Sequence, residues 1–433
     1  MDQIASDNIL ATAYLILWVL TLVWYQYKNR SLDGGSTAIA FYVVYGVFSI
    51  LTINDFVFSE DFKPLEVFPY IYLYVMMMIA LAPVIYHHIS PAQAIENPHT
   101  RILTLAAILI VFCAVMQVPE IIKNFNTGVV KLFLDSDAGK DAYEEHLKEA
   151  GESGSSISNL SSVIYNSLFD ISIFIFFYFL TEKRKNLILI VSLAVSIFIG
   201  TMLPIMSGLR GGVIISVQTI LAGYMLFRRY LSKRINMIAR VVGITAIIVI
   251  SLPIIAISVS RFSQRVYGVT SAISWYVGQG SLYFNNYGLD AGGIRYGDRT
   301  LNLFKRLIDP EDTPKNFVER RDKYTNLEMD DYYFTTFVGD FTIDFGPVVA
   351  FIMFVVFNAW ILLNLRPRDG NYQLHQMLLL YFSLCISIQG GMSLFYYADT
   401  SNLRIITCFS LYAYLRCHEA LLNKFPLLRN RQT

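Results

Sequence analysis

Apolar residues in this chain come in long unbroken blocks rather than at alternating or every-third-or-fourth positions. Eleven blocks stand out, near 8–27, 37–54, 67–87, 102–119, 160–180, 187–205, 211–227, 237–258, 341–364, 374–391 and 403–419. Each approaches or reaches the roughly 17–25 residues that a helix needs to cross a hydrocarbon core about 30 Å thick. The pattern predicts an all-α, polytopic integral membrane protein with about eleven transmembrane helices. Two polar intervals are too long to be plain connectors, Pro119 to Asn159 and Arg261 to Tyr333. The chain therefore divides into helices 1–4 (1–118), a loop with a surface helix and Gly/Ser linker (119–159), and helices 5–8 (160–258). A large loop (259–340) and then helices 9–11 with a tail (341–433) complete it.

Composition agrees with the blocks. Hydrophobic residues make up 55% of the chain and charged residues 15%, against about 25% charged in soluble domains. A net charge of +1 gives no electrostatic reason to expect nucleic acid as a partner. Charge placement orients the spans. Lys28 and Arg30, Lys183 to Lys185, the basic group Arg228 to Arg240, Arg366 and Arg368, and the tail residues Lys424, Arg429 and Arg431 all fall on one side if the spans alternate. Excess Lys and Arg marks the cytoplasmic side, so the N-terminus is expected outside and the C-terminus inside. Arg210 and Arg404 are the exceptions among the short loops. The start of the chain, with Asp2 and Asp7, lacks the basic region of a cleavable signal. Cys113, Cys385, Cys408 and Cys417 lie in or beside spans, without the spacing of a metal site or a disulfide framework. No metal and no cofactor is expected.

Candidate chemistry gathers on the expected outer side. Ser207-Gly208-Leu209-Arg210-Gly211-Gly212 leads into span 7. A helix start with free N–H groups, a guanidinium, and Gly211 and Gly212 allowing close backbone approach makes an anion site, with phosphate the usual occupant. The alternative is an arginine that snorkels to headgroups. Arg261 and Arg265, four apart at the end of span 8, share a face on a helix and could grip successive phosphoryl groups; they could equally be basic residues at a helix end. Tyr283, Asn286 and Tyr287 precede a glycine-rich stretch with Arg295 and Arg299. Aromatics with amides suit a sugar's apolar face and hydroxyls, and aromatics also collect at membrane interfaces. The glycines point to a turn, so no shared helical face is expected for Arg295 and Arg299.

Asp340 and Asp344 lie four apart at the entry to span 9, following Asp330-Asp331-Tyr332-Tyr333. Buried carboxylates need a partner or water. They either pair with the arginines and hold them in place, or one acts as a general base. Asp170 in span 5 raises the same question. In the 119–159 segment, Asp141 to Glu149 has a helical charge pattern. It reads as a solvated acidic helix or as a mobile flap with His146 as proton acceptor.

The Ser-Gly-Leu-Arg-Gly-Gly turn, the Arg261/Arg265 pair opening a large loop, and the Gly339-Asp340-(x3)-Asp344-Phe345-Gly346 entry to a late span resemble the O-antigen polymerases, the oligosaccharide repeat-unit polymerases of the Wzy type. The likeness covers the architecture of the whole chain, but its sharp residues fall in 207–212 and 258–346. It implies a helical fold similar to the integral-membrane (GT-C-like) glycosyltransferases and a metal-independent inverting transfer at the periplasmic face of the bacterial inner membrane. The implied substrates are undecaprenyl-diphosphate-linked oligosaccharides as donor and acceptor. The implied partners are the bilayer and a chain-length regulator and flippase of the same pathway. Arg210, Arg261 and Arg265 take the role of arginines facing the lipid diphosphate. A polysaccharide ligase would show nearly the same features. A flippase would place charges near the bilayer midplane and show related halves, and a sensor or assembly scaffold would tolerate loss of the arginines.

Overall fold

Inside a hydrocarbon core every backbone N–H and C=O must be satisfied within the segment, which is why long apolar blocks fold as helices. The computed structural model describes residues 2–89, 94–96, 100–125, 157–183, 185–206, 210–262, 268–315, 317–367, 370–396 and 399–424. Along these residues run α1 (Asp2–Asn29), α2 (Gly34–Ile53), α3 (Val67–Ile89), α4 (Thr100–Val115) and α5 (Val118–Phe125). Next come α6 (Ile157–Thr181), α7 (Leu187–Met206), α8 (Arg210–Phe227), α9 (Lys233–Phe262) and α10 (Gly268–Tyr283). The remainder is α11 (Asn302–Ile308), α12 (Phe317–Lys323), α13 (Thr336–Phe345), α14 (Pro347–Asn364), α15 (Leu374–Gln389) and α16 (Asp399–Lys424).

Among the described residues, seven helices are long and apolar enough to cross a membrane: α1, α2, α3, α6, α7, α8 and α14. The protein is mostly helical. The block at 102–119 ends its helix at Val115, and α15 has 16 residues, so both give shorter apolar helices. The blocks at 237–258 and 403–419 lie inside α9 and α16, which are not among the seven. The start of the expected span 341–364 is corrected. Helix α13 stops at Phe345, Gly346 takes φ +80, and α14 begins at Pro347. A positive-φ glycine ends one helix and a proline, whose missing N–H costs nothing in a first turn, starts the next. Asp340 and Asp344 thus ride a short separate helix. The acidic stretch with His146 lies outside the described residues.

The described chain forms two units. In the first (Met1–Gln93, Thr270–Tyr372, Leu379–Ile405), α1 packs along α2, and α3 along α14. Trp18, fully buried, tilts against Tyr42 at 4.6 Å and Tyr74 at 4.8 Å between ring centroids. Asp33 caps α2 by accepting from the Ser36 N–H at 2.8 Å, while Ser36 Oγ accepts from the Asp33 N–H at 2.8 Å, a reciprocal box that satisfies two orphan donors. Helix α10 meets α2 at Gly278. A Cβ there would lie 2.4 Å from the Phe48 carbonyl carbon and 2.5 Å from the Ser49 nitrogen. Ser49 Oγ uses this closeness to donate to the Gly278 carbonyl at 2.7 Å and to meet Ser281 Oγ at 2.8 Å. Small residues allow such backbone contact where water gives no drive to helix association.

In the second unit (Ala94–Val269, Gln373–Leu378, Ile406–Thr433), α4, α6, α7 and α8 pack together. Phe174 and Phe177 of α6 pack on Phe227 of α8 at 5.3 and 6.5 Å. Tyr165 donates to the Ser196 carbonyl, so its buried hydroxyl is satisfied.

Candidate functional site: a buried arginine–aspartate cluster

Between α10 and α14 the chain leaves the apolar pattern, and here the first unit builds its polar centre. After α10 the helix widens into a π turn, Phe284–Gly288, a form common near functional sites. Its two asparagines act as a clamp. Asn285 accepts from the Glu66 N–H and donates to the Glu66 carbonyl, both at 2.8 Å. Asn286 does the same to Lys63, at 2.9 and 3.0 Å. Two side-chain amides thereby pair with the backbone of 63–66 as a neighbouring strand would.

The turn that follows puts Tyr296 at φ +53 and Gly297 at φ +82. Two successive left-handed residues double the chain back, which brings Arg295 and Arg299 inward together although no helix joins them. Both are 1% exposed. Burying two guanidiniums is costly unless each is paired and hydrogen-bonded, and the carboxylates arrive from elsewhere. Arg295 pairs with Asp331 through Nη1 and lies with Nε 2.7 Å from Asp344 Oδ1. Arg299 pairs through Nη1 with Asp331 at 3.1 Å and through Nε with Asp340 at 3.1 Å, and Nη1 also donates to the Asp331 carbonyl at 2.7 Å. The two Nε contacts lie off the N–H axis, so they act as charge–charge contacts rather than aligned hydrogen bonds. Arg320, from α12, closes on Asp331 Oδ2 with Nε at 2.6 Å and Nη2 at 2.5 Å. The cluster balances, with Arg295, Arg299 and Arg320 against Asp331, Asp340 and Asp344.

The other carboxylate oxygens are filled. Asp340 Oδ2 accepts from Ser393 Oγ at 2.8 Å and the Leu394 N–H at 2.6 Å. Asp344 Oδ2 accepts from the Thr300 N–H and hydroxyl, both at 2.7 Å. Beside the cluster, fully buried Asp298 pairs with Lys305, with Lys323 at 3.0 Å, and accepts from the Tyr324 hydroxyl at 2.7 Å. Burial pushes the Asp298 carboxyl up, but Lys305, Tyr324 and Lys323 outweigh it and hold the group below its ordinary range. At Asp331, burial is likewise outweighed, here by the guanidiniums of Arg299, Arg295 and Arg320, and the carboxyl sits well below the usual carboxylate range. Burial and then the Asp298 carboxylate push the Tyr324 phenol well above its ordinary value.

A cavity of about 210 Å³ adjoins the cluster. Arg295, Arg320, Arg321, Asp330, Asp331 and Tyr324 supply its polar wall, and Leu327 and Met329 its apolar wall. At its edge Arg321 pairs with Asp330 Oδ2 at 3.1 Å, and both side chains are partly open, 48% and 32% exposed.

Of the residues that sequence reasoning put forward, Arg295, Arg299, Asp340 and Asp344 come together, and the carboxylates tether the arginines, one of the two roles considered for them. Tyr283 is 2% exposed and stacked on Tyr333 at 4.4 Å, so its ring has no face open to a sugar. Asn286 is engaged by Lys63, and Lys63 Nζ stands 4.5 Å over the Tyr287 ring. Arg210 opens α8 and Arg261 lies at the end of α9, both in the second unit; their side chains, and all of Arg265, lie outside the described residues. Gly211 and Gly212 form the first turn of α8, with a Cβ on Gly212 falling 2.8 Å from the Pro204 ring. Asp170 is buried in α6.

Arg320 went unrecognised in the sequence, and Asp331 stood out only as a neighbour of Asp330. The one sequence signal is an acidic doublet set between Met329 and two tyrosines, an environment in which one carboxylate is expected to turn inward. Comparison of the chain with family models, curated proteins and solved structures found no match.

Proposed function

We propose that this chain is an integral-membrane glycosyltransferase that joins undecaprenyl-diphosphate-linked oligosaccharide repeat units into a surface polysaccharide. The reading places it in the bacterial inner membrane with eleven spans, N-terminus out and C-terminus in, a GT-C-like architecture and its active side in the periplasm. The observation that carries it is the buried arginine–aspartate cluster beside a cavity, built on a polar segment set between apolar helices. Such a cluster holds its side chains at fixed positions, and a rigid polar wall is what positioning a sugar for transfer requires.

The chemistry follows from the substrates. When the bond between the donor sugar and the diphosphate breaks, negative charge grows on a leaving group that needs no acid to protonate it. Arg210, Arg261 and Arg265 are proposed to receive that diphosphate, the role that the resemblance to the repeat-unit polymerases implies for them. Arg295 and Arg299, with their charge neutralised by Asp331, Asp340 and Asp344, are proposed to order the wall against which sugars are positioned. Both substrates are lipid-anchored, so approach in the plane of the bilayer suffices. A flippase delivering the repeat unit and a chain-length regulator are the expected partners in the membrane.

The test is the lipid-linked intermediate that accumulates in a deletion strain. Carrier bearing one repeat unit on the outer leaflet is the expected result. One repeat unit on the inner leaflet indicates a flippase, and long polymer still on its carrier indicates a ligase; either refutes the polymerase.

A further inference from the structure

We infer that the cavity beside the cluster takes one sugar ring of the acceptor and that Asp330 is the general base that removes the proton from its attacking hydroxyl. The inference rests on the glycosyl transfer proposed above.

Size and wall chemistry define the ligand. A space of about 210 Å³ is what about seven water molecules occupy in the liquid, enough for a single pyranose and too small for an oligosaccharide. Leu327 and Met329 offer an apolar surface for the C–H face of a ring, while Thr325 adds a hydroxyl-bearing residue to the wall. The wall carries three guanidiniums against two carboxylates. A diphosphate seated there would face both Asp330 and Asp331. A neutral polyhydroxyl ligand instead meets donors and acceptors side by side, which is what its hydroxyls require.

Elimination identifies the base. The side chain of Asp331 is 4% exposed and gripped by three arginines. The side chains of Asp340, Asp344 and Asp298 have no exposure and are filled by Ser393, Leu394, Thr300, Lys305, Lys323 and Tyr324. None can reach a substrate hydroxyl without taking the cluster apart. Asp330 differs in every respect. It lines the cavity, its side chain is 32% exposed, and its position is set by the Tyr332 N–H donating to Oδ1 at 3.0 Å. Its charge partner is Arg321, itself 48% exposed. A pair this open is worth about 0–1 kcal/mol, so a hydroxyl can displace it. Each carboxylate oxygen has about two lone-pair sites, which leaves room to accept a proton while the backbone bond persists.

The step balances within the two substrates and this one residue. The acceptor O–H gives its proton to Asp330, and its oxygen forms the new bond to the donor anomeric carbon. The bond from that carbon to the diphosphate oxygen breaks and the electron pair departs with the phosphate, so configuration inverts. Asp330 then returns the proton to water.

The experiment uses the full-length protein in lipid nanodiscs with lipid-linked repeat unit purified from the deletion strain. Asp330→Asn is expected to lower kcat by at least about 100-fold, the lower bound for a general base, with KM within about threefold of wild type. Formate added to Asp330→Ala should restore part of kcat, which no purely structural role would produce. A kcat for Asp330→Asn within about tenfold of wild type, a loss carried by KM, or no response to formate would each overturn the assignment. Failure of the wild-type protein to lengthen chains would overturn the proposed function instead, so the two failures are distinct.

Discussion

Asp331→Asn is the sharpest probe of the cluster, because one carboxylate serves three guanidiniums. At an effective dielectric of about 20, unit charges 3 Å apart attract by roughly 5–6 kcal/mol, and Arg299 and Arg320 lie at 3.1 and 2.5 Å, with Arg295 in contact as well. Most of that gross attraction is offset by the cost of burying the charges. What the substitution exposes is the remainder plus a net positive charge left in a site of 1–6% side-chain exposure. Removing one partner of a buried ionic group costs about 3–5 kcal/mol. For a unit of this size that is a fall in Tm of roughly 6 °C or more. The assay is thermal unfolding of detergent-purified protein at neutral pH, wild type and variant scanned at one rate. Adding Arg320→Gln to Asp331→Asn removes the excess charge and should recover part of the loss, a coupling that independent sites would not show. The pH dependence gives a second readout. Asp331 titrates lower folded than unfolded, so its contribution is complete above the unfolded value near 3.9 and declines as pH falls below it. Wild type should therefore lose stability more steeply than the variant below about pH 4. A variant with Tm within about 2 °C of wild type at neutral pH would show that Asp331 does not hold the three arginines together.

Gly278→Ala should destabilise the first unit by about 1–3 kcal/mol, read as a lower Tm and reduced monodisperse yield, because the added Cβ meets the Phe48 and Ser49 backbone. Asn285→Ala removes both bonds to Glu66, about 0.5–1.5 kcal/mol each; hydrogen exchange at the Glu66 amide should quicken, and unchanged protection would remove the clamp from the account. Arg210→Ala should abolish long chains in the polysaccharide profile while the protein still inserts, and Arg210→Lys should rescue poorly because an ammonium lacks the planar fork.

The apolar blocks were legible because a hydrocarbon core leaves the backbone few options, and seven of them stand as helices of spanning length and apolarity. The boundary at Gly346-Pro347 was written in the chain as a glycine stop before a proline start, yet the apolar run across it conceals the break when only hydropathy is followed. Asp340 and Asp344 could be picked out because carboxylates near apolar sequence demand partners. Which arginines answer was partly readable, since Arg295 and Arg299 were grouped on the same segment. Arg320 was not, because Glu319-Arg320-Arg321-Asp322 looks like any solvated helix face, and only the packing shows that Arg320 turns in at 5% exposure. The sugar role expected of Tyr283 failed to anticipate Tyr333, whose ring covers it from across the segment.

Sharing one carboxylate among three arginines also constrains how this protein can change over generations. Because Arg295, Arg299 and Arg320 all converge on Asp331 while Arg295 also meets Asp344 and Arg299 also meets Asp340, exchanging the acid alone leaves one positive charge in excess, and exchanging Arg295 or Arg299 takes from Asp344 or Asp340 the guanidinium beside it. Drift should accordingly enter at Arg320, whose loss still leaves Asp331 two guanidiniums, and lineages that have replaced Asp331 should carry an apolar or amide residue at position 320 while keeping arginine at 295 and 299.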